Sequence, residues 1–288
     1  MKRLDTILLL LGSLSGLSSR GQEDLVRSAE DILREGTRLY RSEMASWYGT
    51  DLFLERFRDA SRIGGYLSYV TGDSATCIFY SKEPGARVLG TMVFDTTYDV
   101  KTARVNLDER DFTEREKGYY IIRQPALQQI RQDTLFQVYP NTNLNLVPLI
   151  YDDKREVYAL SGTSKSGVVL FGNDYLLTFD GNNRIIAKKK LHRNLMEIEI
   201  SQKGEDGKPV LATLHTHLPG TGEFITPTDI CTLMLYEKFT PWQQHYVISE
   251  KYTSIWDCRT NRLAILLTRN LDKITGHPEP KRKEKDPW

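Results

Sequence analysis

From Ile63 onward the chain is cut by turn residues into short β-type runs, and this punctuation limits its fold more than any other feature. Before it, residues 23–45 form one long amphipathic stretch. Leu25, Ala29, Ile32, Leu33, Leu39, Tyr40 and Met44 recur there at spacings of three and four, the signature of a packing helix. Gly65–Thr71, Thr76–Ser81 and Arg87–Thr96 then read as strands, parted by Gly-Asp-Ser and Glu-Pro-Gly turns. Phe112–Thr134 reads as a second helix, interrupted at Pro125. After the turn at Tyr139-Pro140-Asn141 come β-type runs at Leu144–Tyr151, Glu156–Leu160, Gly167–Phe171, Asp174–Asp180, Arg184–Lys189, Leu195–Ile200 and Val210–His215. A helix over Thr228–Phe239 follows, then strands at His245–Ser249, Ser254–Trp256 and Leu263–Thr268. The expected class is α/β (α+β): mixed sheet with flanking helices. Residues 23–140 are expected to form a mixed α/β unit whose role is not legible, and residues 141–275 a second domain. Residues 276–288, with Pro278, Pro280, Pro287 and alternating charges, read as a disordered tail.

Composition excludes several classes. At 288 residues and 40% hydrophobic, the chain can bury a sizeable core and is neither disordered nor collagen-like. Its 39 Lys+Arg against 38 Asp+Glu leave no basic excess, which argues against nucleic acid as a main partner. The start is more informative. Met1-Lys2-Arg3, an apolar run from Thr6 to Leu11 and small residues through Ser19 fit a secretory signal over residues 1–21, with an N-terminal helix as the plain alternative. That run is too short to cross a bilayer. Its removal takes three cations and one anion, turning a net charge of +1 into −1. The reading implies an exported, periplasmic or extracellular protein with no integral membrane segment after signal removal. Cys77, Cys231 and Cys258 give no disulfide framework and no metal-binding spacing, and each reads as a buried structural thiol.

One constellation carries chemistry. In Thr213-Leu214-His215-Thr216-His217-Leu218-Pro219-Gly220, a strand would project His215 and His217 to the same face, where two imidazoles can chelate one cation. Asp229 reaching the same point would give a His/His/Asp set with a fourth position left for water, the arrangement of catalytic zinc. The innocent readings are a chance repeat on an exposed strand and, for Thr226-Pro227-Thr228-Asp229, a helix start with Thr as N-cap and Pro at the first helical position. The two readings are compatible, because a cap fixes the backbone that would carry the ligand.

This pattern resembles the JAMM, or MPN-plus, zinc isopeptidases and deubiquitinases and their bacterial relatives. Their motif is His-x-His-x7-Ser-x-x-Asp; here Leu218–Ile225 makes the loop one residue longer, and Thr226 stands where Ser is usual. The resemblance covers about Val147 to Thr268 and includes the strand Gln244–Ser249 ending in Ser. It implies Zn2+ on His215, His217 and Asp229, and Thr226 steadying a tetrahedral intermediate. It also implies a proton-shuttling Glu on an earlier strand, which Glu156 in Glu156-Val157-Tyr158-Ala159-Leu160-Ser161-Gly162 matches. Glu156 serves equally as a surface strand carboxylate. Glu197 and Glu199 are fallback candidates, and Glu223 reads as rimming the pocket. Phosphoesterases and amidohydrolases that begin with Leu-His-x-His need further ligands downstream, and only His245 and His277 follow His217. His192 reads as lying on a solvated strand end, and His245 as a structural histidine.

The expected function is therefore zinc-dependent hydrolysis of an amide, peptide or isopeptide bond in a peptide, protein or cell-wall substrate. A catalytically inactive interaction module of the same fold is the alternative. A cysteine hydrolase using Cys231 or Cys258 is a third, weaker possibility.

Overall fold

The structure, a computed structural model, describes residues 19–270. The expected tail over 276–288 lies outside them, as does the expected signal segment except for its last three residues, which open the first helix. The class is as expected, a mixed α+β chain with three α-helices and several sheets among the described residues. By its internal contacts the chain divides into two compact units. Among the described residues, one takes in 32–210 and 226–241, the other 19–31, 211–225 and 242–270.

In the first unit, helix α1 (Ser19–Arg56) supplies its residues from Ile32 on. The helix does not stop near Met44: Ala45, Leu52 and Phe53 continue the buried face by another three turns, against the sheet β1 (Ile63–Thr71), β2 (Ser74–Ser81), β3 (Val88–Phe94) and β4 (Arg104–Asn106). This sheet is antiparallel in chain order, and its core joins Phe53 to Cys77, Phe79, Leu89, Met92 and Phe94. The Phe53 and Phe79 rings stack with centroids 4.0 Å apart.

Helix α2 (Glu114–Gln132) begins on a reciprocal cap, in which the Thr113 side chain accepts from Glu116 N–H and the Glu116 carboxylate accepts from Thr113 N–H. It runs through Pro125 without the expected interruption. Ile121, whose carbonyl loses its helical donor to the proline, is an exposed residue, so solvent can take the donor's place. A second antiparallel sheet has the order β5 (Thr142–Tyr151), β6 (Lys154–Thr163), β8 (Tyr175–Phe179), β9 (Ile185–Lys190), while β7 (Val168–Gly172) pairs with β10 (Leu195–Glu199). Ile122 and Ala126 of α2 are buried with Leu146, Val157, Ala159, Tyr175 and Leu177 of the second sheet.

Helix α3 (Pro227–Tyr236) packs close to α1 in the same unit. At Gly36 there is no room for a side chain, since a Cβ would stand 2.8 Å from the Ile230 Cβ and 3.0 Å from the Pro227 carbonyl. Cys231 of α3 is buried in a cluster with Leu39, Val147, Leu149, Tyr158 and Leu191.

The second unit contains one mixed sheet in the order β11 (Ala212–Thr216), β12 (Gln244–Ile248), β13 (Tyr252–Asp257), β14 (Arg262–Leu267). β11 and β12 are parallel and the other pairs antiparallel. A parallel pair needs a crossover rather than a hairpin, and the segment holding α3 supplies it. Trp256, Leu263 and Ile265 are buried in this sheet.

The close approach at Gly36 gives the first expectation. Gly36→Ala should destabilise the protein by roughly 1–3 kcal/mol, because a backbone carbonyl must give way. Gly118→Ala on α2, where the nearest neighbour to a new Cβ is the flexible Ile150 Cδ1 at 3.4 Å, should be tolerated. Urea midpoints compare the two.

Candidate metal centre

Strand β11 buries every second residue: Thr213 and His215 face inward, while Ala212, Leu214 and Thr216 are exposed. The extended pairing continues one residue past it, since His217 N–H donates to the Ile248 carbonyl at 2.9 Å. His217 thus stays in register with His215 and is also buried. Their Nε2 atoms stand 3.2 Å apart. Bonds of about 2.1 Å to a tetrahedral cation place two ligand nitrogens about 3.4 Å apart, so this spacing suits a shared ion. Behind His215, its Nδ1 lies 2.9 Å from Nε2 of His245, whose Nδ1 lies 2.7 Å from the Thr213 hydroxyl. His245 is fully buried on β12, directly opposite Thr213 in the parallel register.

Asp229 is held by the start of α3. The Thr226 hydroxyl accepts from Asp229 N–H at 3.1 Å, and Asp229 Oδ2 accepts from Thr226 N–H at 2.9 Å and from its hydroxyl at 2.8 Å. The helix-start reading of this segment is therefore correct, with Asp in the place usually taken by Glu. The cap fixes Oδ2 and leaves the carboxylate almost wholly buried.

His192 is not on a solvated strand end. It is buried just after β9, pinned by the Leu191 N–H bond to the Asp174 carbonyl at 2.8 Å. Its Nε2 lies 3.2 Å from Asp229 Oδ1 and its Nδ1 3.5 Å from Asp174 Oδ2. Burial lowers the pKa of this imidazole, but Asp229 and Asp174 outweigh burial and raise it to about 10. No spacing rule points to His192, because it is a loop residue far from the motif in the chain.

Each unit thus holds a buried pair of metal-ligating side chains, His215 with His217 in one and His192 with Asp229 in the other. Imidazole and carboxylate are donor types of borderline cations.

Glu156 is not in this group. It is buried on β6, accepts a hydrogen bond from the Tyr151 hydroxyl at 3.1 Å, and faces Glu35 of α1, to which Tyr158 also donates. Burial and then the Glu35 charge raise its pKa to about 7. Glu197 is exposed and paired with Lys165 at 2.9 Å, Glu199 is exposed, and Glu223 accepts from the Ser249 hydroxyl at 3.1 Å. All three cysteines are buried, and burial pushes the Cys77 and Cys231 thiols well above their ordinary range, away from a nucleophile's thiolate. No helix among the described residues is long and apolar enough to cross a membrane. No protein-family model, curated protein or solved structure matches the chain.

Two expectations follow from these contacts. Thr226→Ala removes the cap and should cost about 0.5–2 kcal/mol in denaturant unfolding, with Thr226→Ser recovering most of it. For Glu156, the folded value near 7 lies above the unfolded value of about 4.3. The stability it contributes is complete below the unfolded value and is lost as pH rises through 7. Glu156→Gln should flatten that loss, read as urea midpoints at pH 5 and pH 8.

Proposed function

We propose that the protein is a zinc-dependent hydrolase of amide, peptide or isopeptide bonds, with His215, His217 and Asp229 as the zinc ligands. The observation that carries this reading is the 3.2 Å spacing of the Nε2 atoms of His215 and His217, two buried imidazoles on one face of an extended segment. Zinc bound there supplies Lewis acidity, which polarises a carbonyl and lowers the pKa of water toward 7. The chain's own residues do the rest. β11 orients both imidazoles, and the α3 cap holds Asp229 Oδ2 in place. The Thr226 hydroxyl, which steadies the oxyanion in the JAMM-like reading, is engaged with Asp229. An exported protein of this kind would act on a peptide, a partner protein or a cell-wall amide.

One observation favours a second reading, a non-catalytic metal-binding module. Asp229, the carboxylate that the hydrolase reading assigns to zinc, already has its Oδ1 3.2 Å from His192 Nε2. Glu156, meanwhile, is occupied by Tyr151 and Glu35, whereas a proton shuttle must come within hydrogen-bond reach of the reacting atoms.

Elemental analysis and hydrolysis of a mixed peptide library, followed by mass spectrometry, separate these readings. The hydrolase reading expects one zinc per chain in the wild type and in His192→Ala, loss of zinc in His217→Ala, and cleavage by the wild type. A Glu156 shuttle expects Glu156→Gln to lower turnover about 100-fold or more with zinc retained. One zinc per chain with no cleavage by the wild type would support the non-catalytic module. Zinc retained at one per chain in His217→Ala would overturn the ligand assignment.

A further inference from the structure

The row of polar atoms behind His215 can carry its protons in two directions. Each contact needs one donor and one acceptor, and a neutral imidazole has one of each. In the first direction His215 Nδ1–H donates to His245 Nε2, and His245 Nδ1–H donates to the Thr213 hydroxyl oxygen, over 2.9 Å and 2.7 Å. His215 Nε2 then carries a lone pair. In the second direction the Thr213 hydroxyl donates to His245 Nδ1, His245 Nε2–H donates to His215 Nδ1, and the remaining proton sits on His215 Nε2. That proton is suitably placed to be donated to His217 Nε2, 3.2 Å away. Both directions contain the same number of protons and the same net charge, so they differ only in tautomer. Only the first leaves His215 Nε2 able to ligate a cation.

We propose that His245 is a positioning residue which, with Thr213, sets the tautomer of His215, and that the first direction is the one that accompanies a bound divalent cation. The inference rests on the reading of His215 and His217 as metal ligands and adds a component that the ligand motif does not contain. The fold builds the row directly. Parallel pairing sets Thr213 opposite His245, and the two-residue period of β11 brings His215 to the same face as Thr213. His245 is 0% exposed, so water does not compete for its ring nitrogens. A buried imidazole held from both sides can transmit orientation to the ring in front of it, as partners behind metal-binding histidines generally do.

The test uses the full chain with Zn2+ as the probe, in the wild type, His245→Leu and His245→Gln. Zinc affinity is measured by competition with a fluorescent chelator, and imidazole tautomers by two-bond nitrogen–proton NMR correlations. His245→Leu should weaken zinc binding by about 10–100-fold. His245→Gln, whose amide oxygen still accepts from His215 Nδ1–H, should recover most of that loss. In the zinc-loaded wild type both His215 and His245 should be protonated at Nδ1. Unchanged zinc affinity in His245→Leu would overturn the role, as would a loaded His215 protonated at Nε2. If His245→Leu fails to fold, the glutamine variant and the wild-type tautomers decide the matter. Failure of the wild type to bind zinc would overturn the metal site itself, an outcome distinct from normal binding that is indifferent to His245.

Discussion

The parallel pairing of β11 with β12 is the constraint on which the site depends. A strand puts alternate residues on opposite faces, and a one-residue slip would turn Thr213, His215 and His217 outward together. The ladder prevents that slip, and it extends one residue beyond the strand through the His217 N–H bond to Ile248. His215 and His217 therefore present two nitrogens 3.2 Å apart as a consequence of backbone register. The same register delivers His245 from the neighbouring strand.

A different local device holds the carboxylate. Asp229 is both the third helical residue of a capping box and a ligand candidate, so its orientation comes from the Thr226 N–H and hydroxyl at the start of α3. Burying a carboxylate is costly without such partners, and here Thr226 and His192 provide them. Glu156 shows the contrast. It is also buried, but it meets another carboxylate; burial and then that neighbour raise its proton affinity and give it the character of a pH-sensitive contact between β6 and α1.

Much of this was legible in the sequence, and the reasons differ by residue. Period-two alternation and turn residues located nearly every strand, because both features are local; only the three-residue β4, with no alternation to detect, was missed. The Thr226-Pro227-Thr228-Asp229 cap and the common face of His215 and His217 were legible for the same reason. The full length of α1 was not, since its continuation to Arg56 depends on packing against a sheet that follows it in the chain. His192 and His245 were undervalued because their places are set by partners distant in sequence: Asp174 and Asp229 for one, Thr213 and His215 for the other. Pro125 misled because its effect on a helix depends on whether solvent can reach the carbonyl it leaves without a donor.

The central claim is that these side chains hold one divalent cation. The most direct measurement is an anomalous difference map at the zinc edge from crystals equilibrated with Zn2+. The account requires a single strong peak within bonding distance, about 2.1 Å, of Nε2 of both His215 and His217 and of a carboxylate oxygen of Asp229. A map with no peak among these residues, or with zinc bound only elsewhere, would contradict it.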